Sequence, residues 1–478
     1  MQNDNKGAFM SSKFAISLLG LTVAAAVAAV GTSVYTARKL DEQIQKTIEQ
    51  VNTSHVVRAS WYLTSSLPFS RNGVLHLVFL NERMRENAKA VPVIHNDPES
   101  LQRVQEEMAE PLTEESRKPV ELYINISNTT FPFIVKGTAS LDMMRGTPGD
   151  LVKRKELPAT LPMTLSWQYI APNQDFGMRL SMDSWKIAQP DQDVSVGAAE
   201  FSLKGDLSDA LELNYAWDGF KANGRYNGHN TVEIMPLDGS SLLRNFSGIW
   251  ISPEGHMRLA GMKASASDGK FDMGELQFNS VMDEVVTETG TMLNMKHKLV
   301  LNKLALHSAQ DQFDVEDLQL GVNFTGLNKQ GLEELAAQMQ AKQPDFMQMM
   351  KSLNKITTRT MRVELAPFRM KLNKAMVTAT GKLETLPFEV EQVMQAAAAH
   401  TPDPFKYMIQ GDLNFSAEMN AIQALPADVQ QQLDVLQKQG YVKIDNKGLS
   451  SNMLLRGGVV TANGKIVDIE PTQMQEEE

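Results

Sequence analysis

The sequence predicts an α+β protein dominated by β-structure. It expects an N-terminal transmembrane helix, followed by an extended antiparallel sheet, curved or meandering, with helical insertions. Three observations carry this expectation. An uncharged apolar run stands near the front, from Phe14 to Tyr35. Behind it, short stretches of period-two alternation recur across most of the 478 residues, the spacing at which successive side chains fall on opposite faces of a strand. Between them lie stretches with apolar residues three and four apart, the helical period.

The front run carries no charge and, at about 1.5 Å per residue, extends about 33 Å, enough to cross a hydrocarbon core about 30 Å thick. Phe14, Leu18, Leu19, Leu21, Val23, Val27, Val30, Val34 and Tyr35 are its membrane-facing candidates. Cleaved signal peptides have apolar regions of only about 7 to 15 residues, so the length favours a permanent anchor. Ala29-Val30-Gly31 would pass as a small-x-small cleavage site and keeps the cleaved alternative open. Lys6 and Lys13 precede the run while Arg38 and Lys39 follow it, so flanking charge is balanced. The long strand-rich region downstream is therefore expected to be the translocated side. Residues 1–13 are read as a cytoplasmic N-terminus, 14–36 as the signal-anchor and 37–57 as an amphipathic stalk helix. Residues 58–467 form a periplasmic β-rich body and 468–478 an acidic tail.

In the stalk, Leu40, Ile44, Ile48 and Val51 recur at spacings that place them on one helix face. Packing of that stripe on the first strands is the plainer reading. A self-pairing coiled coil is the alternative, although the stripe falls short of the three or four heptads that would argue for one.

Within the body, residues 82–119 form a charged, proline-punctuated excursion, with a short surface helix expected from Pro98 to Ala109. From Val120 to about Gly326, alternating runs are bounded by Asp218-Gly219, Asn227-Gly228, Asp238-Gly239 and Asp268-Gly269, each a hairpin signal. Leu211, Leu213, Tyr215 and Trp217 share one strand face; Leu318, Leu320, Val322 and Phe324 share another, with polar residues between them. Residues 327–355 and 388–439 are expected as helical insertions, the latter with helices from Phe388 to His400 and from Pro426 to Gln439. The first carries a stripe of Leu332, Leu335, Ala336 and Met339 and is broken at Pro344; the second ends at Gly440 as a cap. Strands resume at Arg362 to Leu383, and Asn463-Gly464 makes the final hairpin turn. Three loosely similar segments, beginning at Ala199, Met262 and Ala305, suggest one long meandering sheet without a strict repeat.

The junction GTSVYTARKLDEQIQKTIEQVN, the phrases GELQFNSVMDEVVTETGTMLNMKHKLVLNKLAL, DVEDLQLGVNFTGLNKQGLEELAAQMQ and RVELAPFRMKLNKAMVTATGKL, and the closing GGVVTANGKIVDI resemble the YdgA-like family of Gram-negative bacteria. That resemblance implies an inner-membrane anchor with a periplasmic body and an unknown molecular function. It carries over no catalytic residue. Where many members read His-Gly-Pro-Phe-Pro early in the body, this chain has TTFPFIVKG, Thr129 to Gly137.

Composition narrows the chemistry. A formal charge of -11 disfavours nucleic acid and anionic lipid surfaces as electrostatic partners. With no cysteine, disulfides, thiolate metal sites and a cysteine nucleophile are excluded. The eight histidines, including the near neighbours His297 and His307, show no metal-binding spacing. A nucleophile elbow and a phosphate loop are also missing. The 28 methionines, with Met339, Met347, Met349 and Met350 close together, are read as adaptable apolar lining in preference to a copper(I) site.

No cofactor, metal or enzymatic activity is therefore expected. The principal expectation is a non-enzymatic envelope scaffold or interaction protein, single-pass in the bacterial inner membrane, that pairs with itself, with an unidentified envelope protein or with lipid. The alternative is a lipid or hydrophobe carrier resembling the AsmA-like proteins, with Trp167, Tyr169, Tyr215, Trp217, Leu318, Leu320, Val322 and Phe324 lining an apolar groove.

Overall fold

A computed structural model describes residues 44–79, 119–340, 345–398 and 408–467, with short interruptions. The expected N-terminus, the anchor at 14–36, Leu40, the surface helix from Pro98 to Ala109 and the tail at 468–478 lie outside the described residues. Among those described, no helix is long and apolar enough to cross a membrane. The chain divides into two compact units at Ala222/Asn223, where the sequence suggests one continuous body.

The N-terminal unit begins with helical backbone around Ile44 to Asn52. Ile44 and Ile48 are 2% and 0% exposed, so two members of the stalk stripe are buried within the protein, while Val51 is half-buried. The buried Asn52 side chain then reads the first strand like a neighbouring strand would: its Nδ2 donates to Ala59 O at 3.1 Å, and Ala59 N donates to its Oδ1 at 2.7 Å. The strands β1 (Val57–Leu67), β2 (Ser70–Phe79), β3 (Val120–Phe131), β4 (Ile134–Leu141), β5 (Met163–Ile170) and β6 (Asp175–Met182) pair successively as an antiparallel meander. A hairpin of β7 (Trp185–Ala188) and β8 (Gln192–Val196) then intervenes. β9 (Ala199–Asp206) returns to β6, and β10 (Ala210–Trp217) pairs with β9. Helix α1 (Gly146–Lys153) lies between β4 and β5; Pro148 sits in its first turn, where an N–H has no intrahelical acceptor to lose.

One face of this sheet is the core. Leu75, Leu77, Leu122 and Ile124 are fully buried, and alternation places them on the same side. Asp218-Gly219 is not the hairpin turn that its sequence suggests. Its backbone bonds to Gly197 and Ala198, with Gly197 N donating to Gly219 O and Asp218 N to Ala198 O, so the dipeptide marks a jog between β10 and β11 (Phe220–Gly224). Gly219, at φ 99°, supplies the left-handed backbone that the jog needs.

The C-terminal unit contains β12 (Asn230–Ile234), β13 (Leu237–Phe246), β14 (Ile249–Leu259), β15 (Met262–Ala266) and β16 (Gly269–Met273), followed by the long β17 (Leu276–Thr287), β18 (Gly290–Ser308) and β19 (Gln312–Asn328). The β15–β16 hairpin pairs Ala266 with Gly269, so Gly269 opens β16 instead of sitting in the turn, while Asp268 lies outside the described residues. Asp238-Gly239 instead lies inside β13, paired with Arg258 and Met257, because cross-strand pairing overrides the local turn preference. On one side β18 pairs with β17 through Leu301 and with β16 from Leu304 onward; on the other it pairs with β19.

The insertion expected over 327–355 is two helices, α2 (Lys329–Gln340) and α3 (Phe346–Thr357). Asn328 caps the first through Gly331 N at 2.7 Å; Asp345 caps the second through Met347 N and Gln348 N. Strands β20 (Arg362–Leu372) and β21 (Ala375–Thr385) follow, then helix α4 (Val390–Ala398). Between the two helices expected within 388–439 lies β22 (Ile409–Glu418), which pairs with β21. Leu413, Phe415 and Ala417 alternate there with Asp412, Asn414 and Ser416, a period-two signal between the two helical stretches. Helices α5 (Met419–Gln423) and α6 (Ala427–Gln439) follow. The latter closes on Gly440 at φ 79°, with Tyr441 N donating to Leu436 O. The unit ends with β23 (Lys443–Asp445), β24 (Gly448–Arg456), β25 (Val459–Ala462) and β26 (Lys465–Ile466); β24 pairs with β22.

Candidate functional site

The chemistry-bearing side chains of both units are dispersed. Among the described residues, no group of three or more His, Asp and Glu side chains gathers to hold a metal. His76 stacks on Tyr123 with ring centroids 4.2 Å apart, and Arg145 lies over that tyrosine ring; His307 faces Asp314 at 3.0 Å. Burial is the largest influence on the Asp314 carboxyl and works to raise it, yet the His307 and Gln312 hydrogen bonds hold it below the ordinary carboxylate range. These are cross-strand contacts, and they bring no nucleophile and base together.

Register reveals a different kind of surface in the C-terminal unit. Residues opposite one another in paired antiparallel strands point to the same face, so successive pairings trace rows across a sheet. One row runs Met257, Phe278, Leu299, Leu320, Phe368, Ala379 and Phe415, every member apolar. A second row, one row beyond that of His297 and Val322, includes Met282, Met295, Phe324, Val363 and Leu383 before reaching Gly411 and Leu455. At about 4.8 Å between strands, the face extends about 34 Å from β14 to β24. The opposite face carries Gln277, Lys298, Gln319, Arg369, Thr378 and Asn414, which prefer water.

At one end this apolar face is covered. Val315, Leu372, Ala375 and Val377 are buried with Ala421 of α5, and Leu425 packs against them. Its middle is different. Leu299, Leu320, Val322, Leu365 and Phe368 are half-buried, while Phe324, Leu383 and Leu413 are 36%, 44% and 37% exposed. Leucines left this open on adjoining strands form a contiguous apolar patch, which carries more information than single exposed leucines do.

A hollow of about 360 Å³ opens on the face, lined by Val363, Leu365, Leu383, Leu413, Met453 and Leu455 among others. Gly381 and Gly411 form part of it and present no side chain. A second hollow of about 460 Å³, bordered by Glu364, Thr380, Lys382 and Asp412, offers mixed charges. Nearby, the Glu384 side chain is 10% exposed. Arg362 Nε lies 2.6 Å from one oxygen, and Gln410 Nε2 donates to the other at 3.2 Å.

The residues that the sequence assigns to a groove fall in separate units. Trp167 and Tyr169 are buried in the N-terminal core at 4% and 6% exposure; Tyr215 and Trp217 are half-buried on the same sheet face. Leu318, Leu320, Val322 and Phe324 lie on β19, and all belong to the apolar face of the C-terminal unit. Sequence reasoning missed the lining from β20 to β25. Its alternating residues, Val363 and Leu365, Leu413 and Phe415, Met453 and Leu455, were the available signal.

A model of a family of bacterial proteins of unknown function, DUF945, matches residues 168–470. No curated protein and no solved structure matches the chain.

Proposed function

We propose that this chain, which belongs to the DUF945 family of bacterial proteins of unknown function, binds long acyl chains on the apolar face of its C-terminal unit and acts as a non-enzymatic lipid carrier of the cell envelope. The observation that carries this reading is the exposure of Phe324, Leu383 and Leu413 on one face whose side chains are apolar from β19 to β22. Each methylene removed from water contributes about 0.8 kcal/mol, so about fifteen methylenes with one side still wet gain roughly 6 kcal/mol. That corresponds to a dissociation constant in the tens of micromolar, suited to a ligand that must be released again. The uncharged run from Phe14 to Tyr35 supports an inner-membrane anchor with the body in the periplasm, next to a source of such chains.

The test is binding of a fluorescent long-chain fatty acid to the full chain and to a variant carrying Leu383→Asp and Leu413→Asp. The substitutions are expected to weaken binding at least about tenfold, equivalent to about 1.4 kcal/mol. Equal binding by the two proteins would remove this reading. Alkaline phosphatase fused behind Val467 is expected to be active in cells, and an expressed but inactive fusion would overturn the periplasmic placement.

An envelope scaffold is the second reading. Strand β1 exposes Tyr62, Leu63 and Leu67, a surface on which a partner strand could add. That patch is shorter than the apolar face, so the carrier reading is preferred.

A further inference from the structure

One register row of the C-terminal unit changes character along its length. On β13, β14, β17 and β18 the paired residues are Ser241, Gly255, Ser280 and His297. From β19 to β25 the same row continues through Val322, Leu365, Gly381, Leu413, Met453 and Ala462. Hydroxyl and imidazole groups thus occupy one end, and aliphatic groups or bare glycine the other. At about 4.8 Å per strand, the aliphatic part spans about 19 Å from β19 to β24.

The polar end also holds a side chain whose hydrogen-bonding capacity is incompletely used. The His297 ring stacks on Phe278 with centroids 6.0 Å apart and meets Phe324 edge-on at 5.8 Å. Its Nδ1 is buried and has no hydrogen-bond partner among the described residues. An unpaired imidazole nitrogen between two phenyl rings costs free energy until a polar group reaches it. Ser241 Oγ and Ser252 Oγ lie 2.6 Å apart next to Gly255, whose missing side chain leaves both hydroxyls close to the row.

We infer that the bound amphiphile lies across the strands in one direction, its hydrogen-bonding head at Ser241, Ser280 and His297 and its acyl tail running over Leu365, Gly381 and Leu413. The inference rests on the acyl-binding reading above and adds the orientation and the residues that set it. A ligand laid the other way would put its head against leucine and methionine and leave the imidazole unpaired.

The experiment uses the full chain and two photoreactive palmitic acids, one with the diazirine beside the carboxyl group and one with it near the terminal methyl, followed by peptide mapping. The carboxyl-side probe is expected to label peptides containing Ser241 to His297, and the methyl-side probe those containing Gly381 to Met453. Reversed or unsorted labelling would overturn the orientation while leaving acyl binding intact. Absence of any labelling that unlabelled palmitic acid displaces would instead remove acyl binding itself. In His297→Leu, carboxyl-side labelling is expected to disperse while methyl-side labelling is retained at Gly381 to Met453; sorting unchanged from the parent would overturn the role of His297.

Discussion

Gly381 on β21 stands directly opposite Leu413 on β22, and two residues further along β21, Leu383 stands opposite Gly411. A Cβ on Gly381 would overlap the Asp412 carbonyl oxygen and lie 2.9 Å from Leu413 Cα; one on Gly411 would lie 3.1 Å from Leu383 Cδ1. Each leucine therefore occupies space left by the glycine across from it. Neither glycine has a positive φ, so the requirement is close approach and not turn geometry.

Gly381→Ala is accordingly expected to force the strands apart and lower the unfolding free energy by about 1–3 kcal/mol, as overpacking does. Chemical denaturation of the full chain measures this. Unchanged stability would show that β21 and β22 can separate without cost.

Asn52 joins the N-terminal helical segment to β1 through two hydrogen bonds to Ala59, both buried. Asn52→Ala leaves an N–H and a carbonyl unsatisfied and is expected to cost about 1–3 kcal/mol. Hydrogen exchange at the Ala59 amide provides the local readout. Acceleration confined to other strands would contradict the bridging role.

Glu384 links the structure to pH. Burial works to raise its carboxyl pKa, but the Gln410 hydrogen bond and the positive Arg362 and Lys382 hold it below the usual carboxylate range. A depressed folded value means that the stabilisation is present above the unfolded carboxylate pKa of about 4.3 and disappears as pH falls through the folded value. Glu384→Gln is expected to flatten that part of the acid limb when unfolding free energy is followed from neutral to acidic pH. An acid limb as steep as the parent's would show that other carboxylates dominate it.

Much of the local structure was legible. Leu318, Leu320, Val322 and Phe324 share a face because alternation is a property of the strand itself. Asn463-Gly464 closes a hairpin as its turn chemistry requires, with φ of 50° and 81°. Asp238-Gly239 misled because its neighbours offered a full set of strand partners, and pairing prevailed over turn preference. The aromatic candidates misled differently. Trp167 and Phe324 both alternate with polar residues, yet Trp167 is 4% exposed and Phe324 36%. Alternation distinguishes two faces without showing which other elements cover them.

By itself, the sequence determined the β-dominated class, the faces of individual strands, the approximate limits of α4 and α6 and the uncharged run at the front, since each follows from spacing along the chain. Tertiary structure decided which residues meet. His297 and Ser280 share a row with Leu365, Gly381 and Leu413 only because six strands pair in one register, and a slip of one residue would send a strand's side chains to the opposite face. The candidate site is a product of that register: its residues are distant in sequence, and long-range pairing alone places their polar and apolar groups in line.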